Sequence, residues 1–357
     1  MKIGILTYHR SHNYGALLQA IALRVVLQDM GHEVLYVDYW PDYHKSLYAP
    51  VSFYQLMHKS PRLSLSYLRD RMTHISPILK RYRTFQTFIR QYITPYTASP
   101  NETYDVIIHG SDQIWRKQPF IFSYNPVYFG QHAIPCQHRI SYAASMGQVT
   151  TTDADRLQLR KLLSNLDSIS VRESDLCQLV QSLGYPCQLH LDPTMLLSKQ
   201  RWIDIFHLQS PTDTPYALFY NLLPHSFQDE AIRQYTKAHD LQLKTIYGKG
   251  TGRNTSTNIY NADPRSLVQL IYGAQCVFTS SFHGLVFAII FQKPFYAAFS
   301  TNGGRAQSIL HSLHISDRLL PPMSSTIPSD IPPLHYDLIT QTFSTLQQKS
   351  LNYLRQL

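Results

Sequence analysis

Short apolar runs alternate with helix-spaced apolar segments, twice over in 357 residues, and this alternation restricts the fold of the chain more than any other feature. Residues 2 to 8, KIGILTY, make a short apolar run; a polar loop follows, and then ALLQAIALRVVLQDMG, whose apolar positions recur at helical spacing and stop at Gly31. HEVLYVDYW comes next as an alternating or buried strand. Strand, loop, helix and strand within about 40 residues form one βαβ unit, with a right-handed crossover expected over a parallel sheet.

After a basic stretch the rhythm resumes. YDVIIHG, RISYAAS and DSISVRE read as strands, TTDADRLQLRKLLSNL as a helix capped by its threonine and aspartate residues, and ESDLCQLVQSLGY as a helix closed by Gly184. CQLHLDPTMLL ends this half with a strand and a proline-marked turn. From about Gln200 the pattern restarts, with YALFYNLL, LKTIY, CVFTS and PFYAAFS as strands. DEAIRQYTKAHD, DPRSLVQLIYGA and LVFAIIFQK are the intervening helices, and YGKGTGRNTS is a loop. The chain is therefore expected to be α/β, with two Rossmann-like domains facing each other across a cleft. Residues 1–199 form the first, with a basic helical insertion at about 45–95; residues 200–330 form the second; residues 331–357 form a helical tail.

Composition agrees with a folded globular chain, at 44% hydrophobic and 15% charged. The apolar run in MKIGILTYHR is too short for a signal peptide or membrane span, and no stretch reaches the roughly 18 apolar residues that a spanning helix needs. A cytoplasmic protein is expected. Cys136, Cys177, Cys187 and Cys276 form no C-x-x-C pair and read as buried free thiols. The formal net charge of +9 points to anionic partners without choosing among them. Its densest part lies between Met57 and Phe88, where Lys59, Arg62, Arg69, Arg71, Lys80, Arg81 and Arg83 are interleaved with Tyr67, Leu68, Ile75 and Phe85. That segment is either the solvated face of a helical insertion or a docking surface for anionic lipid headgroups on the inner face of a membrane.

Ligands of open parallel sheets bind beyond the carboxyl ends of strands, so polar strand-end loops are the candidate sites. YHRSHNYGA offers Arg10, His12, Asn13, Tyr14 and Gly15, but it is not a G-x-G-x-x-G dinucleotide motif. HGSDQIW offers Ser111, Asp112 and Trp115, with Asp112 either a helix N-cap or a ligand contact. Arg172 in SVRE precedes a helix start and binds either an anion or a structural carboxylate. In TSSFHGLVFAIIF, Ser280, Ser281 and His283 lie where a strand hands over to a helix, and the backbone N–H groups of a helix start favour an anion. His283 is then a packed or capping side chain or a functional group beside that anion. TNGGRAQSILHSL repeats the layout with Arg305, which is a surface residue or a second anion contact.

Other chemistries find little footing. Asp153 and Asp155 occupy a first helical turn, where the dipole already favours acidic residues, so no metal is expected there. GKGTG lacks the P-loop order, no G-x-S-x-G elbow or zinc-ligand spacing occurs, and nucleic-acid binding would rest on charge alone.

Taken together, GILTYHRSHNYGALLQA, VIIHGSDQIW, RISYAASMG, SVRE, LDPTMLL, SSFHGLVFAIIFQKPF and NGGRAQSIL resemble the polysaccharide pyruvyl transferase family, in family order over nearly the whole chain. The resemblance implies an architecture like that of the two-domain GT-B glycosyltransferases, with an acceptor side in the first domain and a donor side in the second. It implies transfer of a pyruvyl group from phosphoenolpyruvate, as co-substrate and without a cofactor, onto a galactose-type or related hexose of a surface polysaccharide or its lipid-linked precursor. The family's histidine carries over to His283 as general acid, and its arginines to Arg172 and Arg305 beside Ser280 and Ser281. Several relatives carry an arginine inside the histidine motif; here Phe282 takes that place, which leaves open which arginine holds the donor. Arg10, Asn13, Tyr14, Gly15, Ser111 and Asp112 are the residues for acceptor contact or orientation. A helix N-terminus opposes an imidazolium whereas a bound phosphate dianion favours it, so the donor is expected to switch on its own proton source. The competing readings are a glycosyltransferase using a nucleotide sugar and a non-catalytic adaptor at the membrane surface.

Overall fold

The computed structural model describes all residues except 58–60, 119, 120, 122, 210–213, 224, 249–251, 253, 302, 329–333 and 335. Lys59 of the basic segment, Lys249 of the glycine-rich loop and Asn302 of the NGGR stretch lie outside the described residues. The chain divides into two compact units: residues 1–75, 85–196 and 346–357 in one, and residues 76–84 and 197–345 in the other.

The first unit is built on β1 (Lys2–Leu6), β2 (Glu33–Val37), β3 (Thr97–Ala98), β4 (Tyr104–His109) and β5 (Cys136–Ser141), all parallel, in the order β3-β2-β1-β4-β5. Parallel strands with both faces covered become continuous apolar runs, and KIGIL and YDVIIH are of this kind. The helix Tyr14–Asp29 is buried along its length from Tyr14 to Leu27, as a helix apolar all round must be. A pair of two-residue strands, β6 (Ser170–Val171) and β7 (Gln188–Leu189), lies parallel beyond β5. The helix Asp153–Leu163 opens with a capping box: Thr152 and Asp155 exchange side-chain and backbone hydrogen bonds.

The second unit repeats this plan with β8 (Tyr216–Asn221), β9 (Gln242–Tyr247), β10 (Asn258–Ile259), β11 (Cys276–Thr279) and β12 (Phe295–Ala297), parallel in the order β10-β9-β8-β11-β12. Its central helix, Phe282–Ile290, is buried at all nine positions. Both sheets are thus doubly wound α/β sheets whose strand order reverses once, between β1 and β4 and between β8 and β11.

Several details depart from the sequence pattern. β3 and β10, two residues each, carry no readable alternation, yet each forms an edge of its sheet. The C-terminal helix Tyr336–Arg355 returns its last turns to the first unit, where the Tyr353 hydroxyl donates to the Ser141 carbonyl at 3.0 Å and the Ser350 hydroxyl accepts from the Leu191 N–H at 3.1 Å. The four cysteines are free, but only Cys276 is buried; Cys136, Cys177 and Cys187 are half-buried. Among the described residues no helix is long and apolar enough to cross a membrane.

Candidate functional site

In the second unit, β8 and β11 meet at the reversal of strand order, where doubly wound sheets place their ligands. Ser280 closes this point: its hydroxyl accepts from the backbone N–H of Leu222 at 2.8 Å and of Leu223 at 2.9 Å, pinning the loop after β8 to the loop after β11. Ser281 caps the following helix, accepting from the Gly284 N–H at 3.4 Å. The helix begins at Phe282, so His283 stands inside its first turn rather than in the preceding loop. The helix sits so close to the sheet that a Cβ on Gly284 would lie 2.2 Å from Thr279 Oγ1 and 2.8 Å from the Tyr220 ring. Gly284→Ala should therefore destabilise the protein by about 1–3 kcal/mol through overpacking. A urea midpoint equal to that of the parent would show that the helix has room to shift.

Arg305, on the helix Gly304–Ser312, joins this turn from outside it. Its guanidinium lies 5.1 Å from the centre of the Phe282 ring, and that ring meets the buried His283 imidazole edge-on at 5.2 Å. Ser280, Ser281, His283 and Arg305 are thereby gathered at one strand end: two hydroxyls hold the backbone, and an imidazole and a guanidinium share one aromatic neighbour.

The first unit has an equivalent bolt at its own reversal point. The Thr7 hydroxyl after β1 donates to the Ser111 carbonyl after β4 at 3.0 Å, while Gln19 donates to the Thr7 hydroxyl at 3.0 Å and accepts from the Ser111 N–H at 3.2 Å. The buried Ser111 hydroxyl donates to the Ala143 carbonyl at 3.0 Å. Gly110 makes this crossing feasible: its φ is +132°, and a Cβ there would meet the Tyr142 carbonyl oxygen at 2.3 Å. Asp112 corrects one expectation. No helix follows it, so it is not an N-cap; it sits at φ +75° in an irregular loop and accepts from the Gln113 N–H at 2.8 Å. The capping role belongs to Asn13, which accepts from the Ala16 N–H at 3.2 Å at the start of the helix Tyr14–Asp29. Tyr14 packs against Phe85 at 5.2 Å beside the buried Gly15, and Arg10 pairs with Asp38 at 2.7 Å with its guanidinium 5.8 Å from the Trp40 ring centre.

Arg172 is buried after β6, where it forms an ion pair with Asp192 and lies 3.9 Å from Glu173. Asp192 also accepts from the Thr194 hydroxyl at 2.6 Å and N–H at 3.0 Å, which fixes the LDPT turn. Of the two partners open to it on sequence, the structure supplies Arg172 with carboxylates of its own unit. Asp155 likewise serves its capping box and an ion pair with Lys117 at 2.7 Å, which with the Thr152 backbone holds its carboxyl down to about 2.

A group of buried histidines gathers beside β1 and β2, of which sequence reasoning singled out only His12. His9 Nδ1 lies 3.0 Å from the Thr7 carbonyl, which can only accept, so Nδ1 carries the proton and Nε2 the lone pair. His9 stacks on Tyr36 at 5.3 Å, His44 lies 4.3 Å from the Tyr8 ring centre, and His12 stacks on Phe85 at 5.3 Å. Burial pulls His9 down to about 4 and His44 to about 3. The signal was a pair of histidines within four residues, H-R-S-H, directly after an apolar strand.

The sequence model of a family described as polysaccharide pyruvyl transferase matches residues 13–302. No curated protein sequence matches the chain. Among solved structures, similarity extends to the glycosyltransferase SnogD from Streptomyces nogalater, at 13% identity over 98% of this chain and 95% of that one, with a TM-score of 0.41. The E. coli heptosyltransferase WaaC with ADP is 12% identical over 97% of this chain and 100% of that one, with a TM-score of 0.41. A putative UDP-N-acetylglucosamine 2-epimerase from Listeria monocytogenes is 10% identical over 98% of this chain and 89% of that one, with a TM-score of 0.45.

Proposed function

The chain belongs to the polysaccharide pyruvyl transferase family, and from that premise we propose that it moves the pyruvyl group of phosphoenolpyruvate onto a sugar of a surface polysaccharide or its lipid-linked precursor, forming a cyclic ketal on a galactose-type or related hexose. One observation carries the reading of the site: His283 stands in the first turn of a buried helix, with the Arg305 guanidinium over the neighbouring Phe282 ring. Phe282 stands where several relatives carry an arginine in the histidine motif, and a cation, Arg305, lies beside it, 5.1 Å from its ring centre. Phosphoenolpyruvate carries a carboxylate and a phosphate, and arginine and helix N–H groups are the matching donors. Arg305 is therefore assigned to the donor in preference to Arg172, whose charge is already met by Asp192 and Glu173.

The steps balance without a further reagent. Imidazolium His283 gives its proton to the methylene carbon of the donor, leaving a cationic carbon that a sugar hydroxyl attacks, with loss of that hydroxyl's proton. Phosphate departs, a second hydroxyl attacks the same carbon, and its proton leaves too. One of the two released protons restores His283; the other goes out with phosphate.

The deciding experiment incubates the protein with phosphoenolpyruvate and a panel of galactosides, mannosides and lipid-linked oligosaccharides, and follows phosphate release and product mass. A pyruvyl ketal on at least one acceptor is expected. Consumption of a nucleotide sugar in parallel reactions, with no ketal on any acceptor, would replace this reading with glycosyl transfer.

A further inference from the structure

The basic insertion carries an apolar surface that is exposed among the described residues. Phe53, Met57, Leu63, Leu65 and Met72 are each between 59 and 76% exposed, whereas the other strongly exposed apolar side chains, Leu157 and Leu338, stand far apart in sequence. These five belong to two helices, Phe53–Met57 and Pro61–Thr73. The helices are locked together on their inner side: the Tyr67 hydroxyl accepts from the Ser52 N–H at 3.0 Å, and the Ser64 hydroxyl donates to the Leu56 carbonyl at 3.0 Å. Tyr67, Ser64 and Leu68 thus face inward, which fixes what faces out.

On the outer side the spacing sorts by chemistry. Leu65 and Met72, seven residues apart, fall on one line of the helix, and the exposed Arg62 and Arg69, also seven apart, fall on the adjacent line. Phe53 and Met57, four apart, share a face of the shorter helix. Among the described residues neither Arg62 nor Arg69 forms an ion pair; the one acidic side chain of the longer helix, Asp70, pairs with His74 at 3.3 Å. An apolar line flanked by unneutralised arginines has the composition of a helix that lies in a bilayer interface. A protein partner would fit the apolar line alone; the arginine stripe matches phosphate headgroups, and the chain's net charge of +9 adds attraction in the same sense.

We propose that the helices Phe53–Met57 and Pro61–Thr73 dock on a bilayer surface rich in anionic phospholipid, with Phe53, Met57, Leu65 and Met72 entering the headgroup region and Arg62 and Arg69 pairing with lipid phosphates. This inference is independent of the reaction assigned to the protein, since none of these residues belongs to the site around His283.

The test is sedimentation of the full chain with vesicles of phosphatidylcholine alone and of phosphatidylcholine with phosphatidylglycerol, at low and high salt. Binding is expected on the mixed vesicles, weak on neutral ones and reduced by salt. Arg62→Ala with Arg69→Ala should weaken it about tenfold to thirtyfold, since each arginine near such a surface contributes about 1 kcal/mol, or roughly fivefold in affinity. Leu65→Ser with Met72→Ser should weaken binding at high salt as well, with circular dichroism of both pairs unchanged. Equal binding by parent and both variants, or no binding to mixed vesicles, would overturn the proposal. So would a dimer in solution that the Leu65→Ser, Met72→Ser pair dissolves, because a second copy would then be the occupant.

Discussion

Replacing His283 with glutamine should lower turnover of phosphoenolpyruvate by about a hundredfold to ten-thousandfold, the range in which a positioned general acid acts. Glutamine keeps much of the imidazole's volume and can donate a hydrogen bond, but it cannot release a proton to carbon. Donor affinity should fall far less than turnover, since Arg305 and the helix N–H groups remain to hold the anion. His283→Ala should lose at least as much turnover, and it also opens space beside the Phe282 ring that the imidazole meets edge-on. Arg305→Ala should show the opposite division. Loss of a charge-assisted hydrogen bond costs about 1.5–3 kcal/mol, so donor affinity should fall by roughly ten- to a hundredfold. Turnover at saturation should fall less. Steady-state kinetics with a fixed acceptor, paired with calorimetric titration of phosphoenolpyruvate, separates the two. A His283→Gln enzyme with near-parent turnover would remove the imidazole from the chemistry, whatever became of Arg305.

The architecture was legible because both long buried helices announce themselves. ALLQAIALRVVLQD and LVFAIIF are apolar round the whole helix, and each follows a strand whose end lies at a reversal of sheet order. What the sequence hid is mostly a matter of who accepts from whom. Ser280 has nothing in its neighbourhood to say that its hydroxyl will bind Leu222 and Leu223, since their proximity depends on the parallel pairing of β8 with β11. Arg172 and Asp192 are similarly joined by the pairing of β6 with β7, and a run of residues such as SVRE gives no sign of a carboxylate twenty positions on. Asp112 misled for a local reason: an aspartate after a strand reads as a cap, yet the chain enters a left-handed conformation there and goes on without a helix. Edge strands of two residues are too short for any period to show, so β3 and β10 could be found only once their neighbours were in place.

The buried histidines that escaped notice in the sequence make the first unit sensitive to acid. Burial holds His9 at about 4, against the opposing pull of the Thr7 carbonyl, His44 at about 3 and His190 at about 4, whereas each imidazole in an unfolded chain titrates near 6.5. Below 6.5 the unfolded chain binds protons that the folded unit refuses, so stability falls as pH falls, and each histidine goes on contributing to the loss until its own folded value is reached. The slope for each rises to about 1.4 kcal/mol per pH unit as the unfolded imidazole becomes protonated, so these three alone remove about 5 kcal/mol between pH 6.5 and 5, a large share of the stability of an ordinary domain. Asp155 acts in a separate window: its depressed carboxyl stabilises the folded state at all pH values above 3.8 and loses that contribution only as pH drops toward 2. Any decline between pH 6.5 and 4 therefore reports the imidazoles rather than this carboxylate. Urea denaturation followed by tryptophan fluorescence should show the midpoint dropping steeply from pH 7 to pH 5 under fixed salt. Burial also lowers His109 and His132 in this unit, so His44→Gln, one of five such sites, should flatten the slope by about a fifth over that interval, since glutamine has no proton to take up. A midpoint unchanged between pH 7 and pH 5 would mean that these imidazoles gain protons in the folded unit, and hence that water reaches them.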